Sequence, residues 1–304
     1  MIVVYVICAV LIGLLALLFI SAQVLRHAVE RTRVAPLDAH TWHIAVGAGP
    51  TASHVYLLEG DERAMLIDTG FGLADLRKVV AGLTQKPVFV VNTHGHCDHV
   101  GGNRQFDEIY LHEADFEVYR EHTSEAYLAQ KVRDSLTDFR LPLWLVHLPF
   151  VGGQLRRLYN GAPGPQPIPM RDVTVFDLGG RVVRVIPLPG HTPGSVCLLD
   201  EANNIFYFAD NGSSQGILLG FSHSSTVAEY GKNLACVRTG MDDGTRLYLG
   251  HHKVPLNAAH IDKILRGVEA LKAGQLESNP FHSAACEGHA AFYEGFRFVY
   301  RDIE

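Results

Sequence analysis

The 304-residue chain is 47% hydrophobic and 19% charged, the balance of a globular protein that can bury a core as one large domain or two small ones. A formal charge of −6 and a pI near 6.3 give no global attraction to nucleic acid, so no nucleic-acid partner is expected. The five cysteines (Cys8, Cys97, Cys197, Cys236 and Cys286) are scattered without a CxxC pair. That argues against a disulfide framework or a thiolate zinc site and agrees with a reducing compartment.

In chain order, Ile2 to Ile20 is an uncharged apolar run of 19 residues. As a helix rising ~1.5 Å per residue it matches the hydrocarbon thickness of a bilayer. No basic segment precedes it, and bulky Ile20 stands before Ser21-Ala22, where signal cleavage prefers a small residue. Arg26, Arg31 and Arg33 follow, and positive flanks favour the cytoplasm. The expectation is a single-pass anchor over 1–22 with a cytoplasmic domain, the alternative being export by a signal-type N-terminus. Residues 23–39, charged and broken by Pro36, read as a linker, and 40–304 as one domain.

Strand signals cover Thr41–Val46 and His54–Glu59, and Ala64–Ile67 returns after the Gly60-Asp61 turn. Leu73–Leu83 has helical spacing and stops before Pro87, and Val88–Val91 reads as a buried strand. Ile109–His112 is a short strand, and Glu113 to about Phe139 reads as helix. Between Leu141 and Met170, six prolines exclude long regular elements. This stretch reads either as a pocket wall whose Arg156 or Arg157 grips an anionic substrate, or as a solvated surface insertion. Strands are expected at Val173–Phe176, Arg181–Leu188, Val196–Leu199, Ile205–Ala209 and Leu247–Leu249, with a loop over Gly212–Ser225. Thr226 with Glu229 forms a capping box opening a helix to about Val237, and Ala258–Lys272 is helical by spacing.

Chemistry concentrates where these strands end. After Val91 comes Asn92-Thr93-His94-Gly95-His96-Cys97-Asp98-His99, imidazoles and a carboxylate of the kind that suit zinc, iron or manganese. His191 follows the strand ending near Leu188, Asp210 ends Ile205–Ala209, and His251 follows Leu247–Leu249. Each alone is more often a solvated or turn-capping residue; together they form a pattern.

The series His94-x-His96-x-Asp98-His99, His191, Asp210 and His251, with Leu66-Ile67-Asp68-Thr69-Gly70 upstream, resembles the metallo-β-lactamase superfamily. The resemblance implies an α+β fold, an αβ/βα four-layer sandwich with the site at one edge. It further implies that His94, His96 and His191 hold one metal, that Asp98, His99 and His251 hold a second, and that Asp210 bridges both. The cofactors would be two divalent ions, zinc first, with iron or manganese as alternatives. Asp68 would lie behind the ligand loop, His252 would be surface or substrate-facing, and Cys97 would not be a ligand. The implied activity is that of a binuclear hydrolase, which with the anchor expected over 1–22 makes it membrane-anchored. Two metals ~3.5–4 Å apart lower the pKa of a shared water toward roughly 7, and the hydroxide attacks with Asp98 orienting it. A small-molecule ester, thioester, lactone, β-lactam or phosphoester is the expected substrate. The alternatives are a mononuclear-iron oxidoreductase of the persulfide dioxygenase type and a non-catalytic metal binder.

Overall fold

The computed structural model describes residues 31–47, 52–138, 164–213, 216–252, 255–283 and 286–304. The expected anchor, and the stretch carrying Trp144, Arg156 and Arg157, lie outside the described residues. Among the described residues no helix is long and apolar enough to cross a membrane.

The first half of the chain runs β1 (Thr32–Asp38), β2 (Thr41–Val46), β3 (Ser53–Glu59), β4 (Ala64–Ile67), α1 (Leu76–Ala81) and β5 (Val88–Val91). It continues with α2 (Cys97–Val100), β6 (Ile109–His112), α3 (Phe116–His122), α4 (Glu125–Asp138) and β7 (Ile168–Met170). The seven strands form one sheet in chain order, antiparallel up to β4 and parallel from β4 to β7. The second half runs β8 (Val175–Asp177), β9 (Val182–Pro187), β10 (Val196–Asp200), β11 (Ile205–Ala209), β12 (Ile217–Leu219), α5 (Val227–Arg238), β13 (Arg246–Leu249) and β14 (Leu256–Asn257). Then come α6 (Ala258–Lys272), β15 (Asn279–His282), β16 (Glu287–Tyr293) and β17 (Phe296–Tyr300). A second sheet has the order β14-β13-β11-β10-β9-β8, and a third, smaller one the order β12-β17-β16-β15.

The layering follows from strands that are apolar on both faces. Tyr56, Leu58, Ile67, Phe89 and Val91 of the first sheet meet Val185, Leu198, Ile205 and Tyr207 of the second in a shared core. The alternate residues Val55, Leu57, Leu66 and Val90 face outward onto Leu76 and Val80 of α1. Phe206, Phe208, Leu247 and Leu249 face outward onto α5 and α6 through Tyr230, Leu234, Ile261 and Ile264, with Phe298 and Tyr300 of β17 in the same cluster. The order is helix, sheet, sheet, helix.

Two joints fix one sheet on the other. At the site edge, Val196 N–H donates to the Thr93 carbonyl (2.9 Å) and His54 N–H to the Gly250 carbonyl (2.7 Å). At the far end Arg181, buried, donates through Nε to Asp200 (3.0 Å) and through its other nitrogens to Thr41 Oγ1 and the His40 carbonyl, both 2.9 Å.

Several elements differ from the sequence expectation. Thr32–Asp38, expected within the linker, is β1, paired antiparallel to β2 with a register shift between Pro36 and Asp38. An edge strand has a free side, so a proline and polar residues are tolerated there. The expected long helix after Glu113 is broken at Thr123-Ser124, where Thr123 Oγ1 donates to the Tyr119 carbonyl and Ser124 Oγ accepts from Tyr127 N–H. Such hydroxyls close one helix and open the next. The glycine- and serine-rich 212–225 stretch, expected as loop, contains β12, which β17 recruits by parallel pairing. β14 to β17 had no sequence-based expectation.

Candidate metal centre

Because β4, β5 and β6 are parallel, their carboxyl ends share one edge, and there the chain turns into polar loops. The ligand loop 92–99 leaves β5 and is held from behind. Asn92 and Asn103 pair through their amides (2.7 Å), and Thr69 N–H donates to the His99 carbonyl (2.7 Å). Gly95 is required by space: a Cβ there would lie 2.7 Å from the backbone nitrogen of Tyr119 in α3.

The carboxylate that ties this loop to the His191 loop is Asp115, fully buried. It accepts from Gly95 N–H (2.7 Å), Gly194 N–H (2.6 Å) and Thr192 Oγ1 (2.7 Å). Burial pushes its pKa up, against the pull of those bonds. Sequence reasoning missed Asp115 because it sits at the start of a stretch read simply as helix.

Asp68, expected behind the ligand loop, is there. Its backbone is left-handed, φ 61°, at the end of β4. Its Oδ1 accepts from Thr93 N–H (2.8 Å), and its Oδ2 accepts from Thr93 Oγ1 and from His99 Nδ1, both at 2.7 Å. A hydroxyl has one proton, and that of Thr93 goes to Asp68. Thr93 Oγ1, 3.1 Å from His94 Nδ1, must therefore accept from it. His191 Nδ1 faces the Leu218 carbonyl at 2.7 Å and His251 Nδ1 the Ala52 carbonyl at 3.1 Å, acceptors in each case. Four imidazoles thus carry their proton on Nδ1 and turn the other nitrogen inward.

Inward they converge in two groups. Ligand atoms of His94, His96 and His191 lie within 4.8 Å of one another, as do those of Asp98, His99, Asp210 and His251. Asp210 lies between the groups. Its Oδ1 is 3.4 Å from His99 Nε2, and its Oδ2 is 3.7 Å from His191 Nε2 and 3.6 Å from His251 Nε2. Asp98 Oδ2 is 3.3 Å from His251 Nε2. All seven residues singled out in the sequence come together. Within this cage Nε2 of His94, His99 and His191 and Oδ1 of Asp210 are buried without a hydrogen-bond partner. Such atoms cost about 1–3 kcal/mol each when left unmet; cations held by imidazole and carboxylate satisfy all of them. A third group, His96 with His122 and His223, was not read from the sequence. His122 and His223 lie far from the motif and carry no local signal.

The two main groups differ in charge. Burial, then the neighbouring imidazoles, holds His94 and His96 well below the usual histidine range. Burial acts the same way on His99 and His251, but there carboxylates outweigh it. Asp210 and Asp68 raise His99 well above its ordinary value, and Asp210 and Asp98 raise His251 to about 9. Asp98 and Asp210 are held low by His251 and His99 despite their burial. At pH 7 the metal-free second group therefore holds protonated imidazoles, whose inward protons a cation must displace. Calorimetric zinc titration at pH 7, in buffers of different ionisation enthalpy, should show about two protons released on filling this group, and affinity there should rise with pH toward 9. Zinc uptake without proton release would contradict this charge distribution.

A family model for the metallo-beta-lactamase superfamily matches residues 48–251. Acyl-coenzyme A thioesterase MBLAC2 of Homo sapiens is 31% identical over 195 residues, 59% of this chain and 64% of that protein. The chain thus spans less than two thirds of that relative's length. An atrochrysone carboxyl ACP thioesterase of Emericella nidulans is 22% identical over 85% of this chain and 66% of its own length. Among solved structures, a metallo-beta-lactamase family protein of Thermus thermophilus superposes with a TM-score of 0.54 at 20% identity, covering 80% of this chain and 85% of that one. A metallo-beta-lactamase from Pontibacter korlensis gives 0.54 at 17% identity, with 78% and 99% covered. With the matched region containing Asp68 and every residue of the two main groups, the chain belongs to the metallo-β-lactamase superfamily.

Proposed function

We propose that the protein is a metal-dependent hydrolase of acyl thioesters that works with two divalent cations, zinc first. The observation that carries this reading is the convergence of inward-turned imidazole nitrogens around Asp210. His94, His96 and His191 would hold one cation, Asp98, His99 and His251 the other, with Asp210 shared. Two thioesterases among the relatives favour hydrolysis over a single-iron oxidoreductase, for which a similar residue set would also serve. Such ions supply Lewis acidity and bring the pKa of water toward about 7. The thioester is favoured among the ester-type substrates because two relatives are an acyl-coenzyme A thioesterase and an ACP thioesterase.

The chain's own contribution centres on Asp98. At 24% side-chain exposure it is more open than Asp210 (12%) or Asp68 (3%). Open on one side and set in the second group, its carboxylate would orient the attacking water and take up its proton. The new C–O bond forms, the C–S bond breaks, and sulfur leaves with the electron pair. A thiol pKa near ~8.5 means that the thiolate needs little acid assistance. Asp98 is then needed chiefly as a base and returns its proton to sulfur or solvent.

Release of free thiol from acyl-coenzyme A by the zinc-loaded protein is the direct assay. Asp98→Asn should lower kcat by ~10²–10⁴-fold, the usual worth of a proton-transfer group, with KM little changed. Asp210→Ala should lose activity and cation binding together. A fully active Asp210→Ala protein would contradict the reading, as would a loaded protein that cleaves lactones or phosphodiesters but no acyl thioester. We also propose that Ile2–Ile20 tethers the domain to a membrane from the cytoplasmic side. The full chain should then sediment with membranes and resist alkaline carbonate extraction. A mature chain beginning near Gln23 in an exported fraction would overturn that.

A further inference from the structure

Five imidazoles surround the site, and one of them is held the other way round. His94, His99, His191 and His251 present Nδ1 outward to an oxygen. His96 instead presents Nε2 outward, and its partner is another imidazole nitrogen, His223 Nε2, at 3.0 Å. Between two such nitrogens there is one proton. If His223 carried it, the lone pair of His96 Nε2 would be consumed and a neutral His96 would hold its own proton on Nδ1, towards His94 and His191. If His96 carries it on Nε2, its Nδ1 is bare. Only the second arrangement lets His96 join the first group as a ligand.

We infer that His223 is a positioning residue for His96: it accepts a hydrogen bond from His96 Nε2–H and so reserves the Nδ1 lone pair for the first cation, while His122 holds the ring plane by stacking. The inference rests on the metal-centre reading proposed above. His122 is buried, and its ring lies 4.4 Å from that of His96 at 17° on one side and 4.0 Å from Tyr127 at 29° on the other. His223 is stacked in turn on Phe221, with centroids 5.3 Å apart at 8°, and Phe221 also touches His96.

Ring planes separate this support from a cation site. A ligated metal lies in the plane of each imidazole at ~2.0–2.1 Å. The rings of His94, His96 and His191 cross at 75–84°, so their planes meet nearby. His96 and His122 are nearly parallel and stacked, and no point within bonding distance lies in both planes. His96, His122 and His223 therefore serve as a brace. One segment supplies His223 and also holds His191: the Leu218 carbonyl orients the His191 ring, Ser224 Oγ donates to the His191 carbonyl (2.9 Å), and His223 holds His96. The stretch from β12 to α5 thus aligns two of the three imidazoles of the first group.

The test is zinc binding by the full chain under chelator competition, with folding followed by circular dichroism. The wild type should bind two zinc ions. His223→Phe, which keeps the ring but loses the acceptor, should weaken one ion by about 10–100-fold, as loss of a ligand's outer partner does, and leave the other unchanged. His223→Gln, whose amide oxygen accepts, should stay within a few-fold of wild type, and His122→Phe, which keeps the stack, should do the same. Wild-type affinity in His223→Phe would overturn the inference alone, as would equal losses in the Phe and Gln variants. So would a third zinc in the wild type that vanishes in His223→Phe. A wild type that binds no zinc would remove the metal-centre reading and the inference with it.

Discussion

The structure at this site depends on the carboxylate of Asp68. It is 2% exposed, and an ionised group removed from water costs several kcal/mol unless its lone pairs are met. They are met by Thr93 twice and by His99. The same three bonds set the protonation pattern: His99 is held directly, and His94 through the hydroxyl of Thr93. To reach them the chain takes a left-handed turn at Asp68, φ 61°, and the turn before Asp210 uses Ala209 at φ 46°. Left-handed backbone at a non-glycine residue costs of order 1–3 kcal/mol and persists where the surroundings over-determine it. Both turns lie where a strand hands its side chains to the site.

A two-sheet sandwich suits such a centre because neither sheet completes it. The first sheet supplies His94, His96, Asp98 and His99 from one loop, and the second supplies His191, Asp210 and His251 from separate strand ends. The relative position of the sheets therefore sets the geometry of the site. It is held by backbone bonds at the site edge, by Asp115 clamping Gly95 and Gly194, and by Arg181 at the far end. Asp115 and His223 act alike in this respect. Neither is in the two main groups; Asp115 ties a loop of the first sheet to one of the second, and His223 ties His96 to the segment after β12 of the third sheet.

What was legible in the sequence follows from the range of the forces. The β5 strand and its ligand loop, the Thr226 capping box and the α6 helix were readable because their causes lie within a few residues. The seven residues that come together were readable because the family pattern names residue types at strand ends. β1 was missed because an edge strand tolerates the proline and polar residues of a linker. β12 was missed because its three residues become a strand only beside β17. Asp115, His122 and His223 were missed for the same reason as each other. Each acts on a residue distant in the chain, and an isolated aspartate or histidine in a helix or loop carries no mark of that role.

The central claim is that outward hydrogen bonds preset which nitrogen of each imidazole faces the cations. Long-range proton–nitrogen correlation spectra of the zinc-loaded protein, with ¹⁵N-labelled histidine, read this directly. The account predicts that His94, His99, His191 and His251 keep Nδ1–H while their Nε2 resonances shift on zinc addition, with His96 showing the reverse pattern. A proton on Nε2 of His94 or His191 in the loaded protein, or spectra unchanged by zinc, would contradict it.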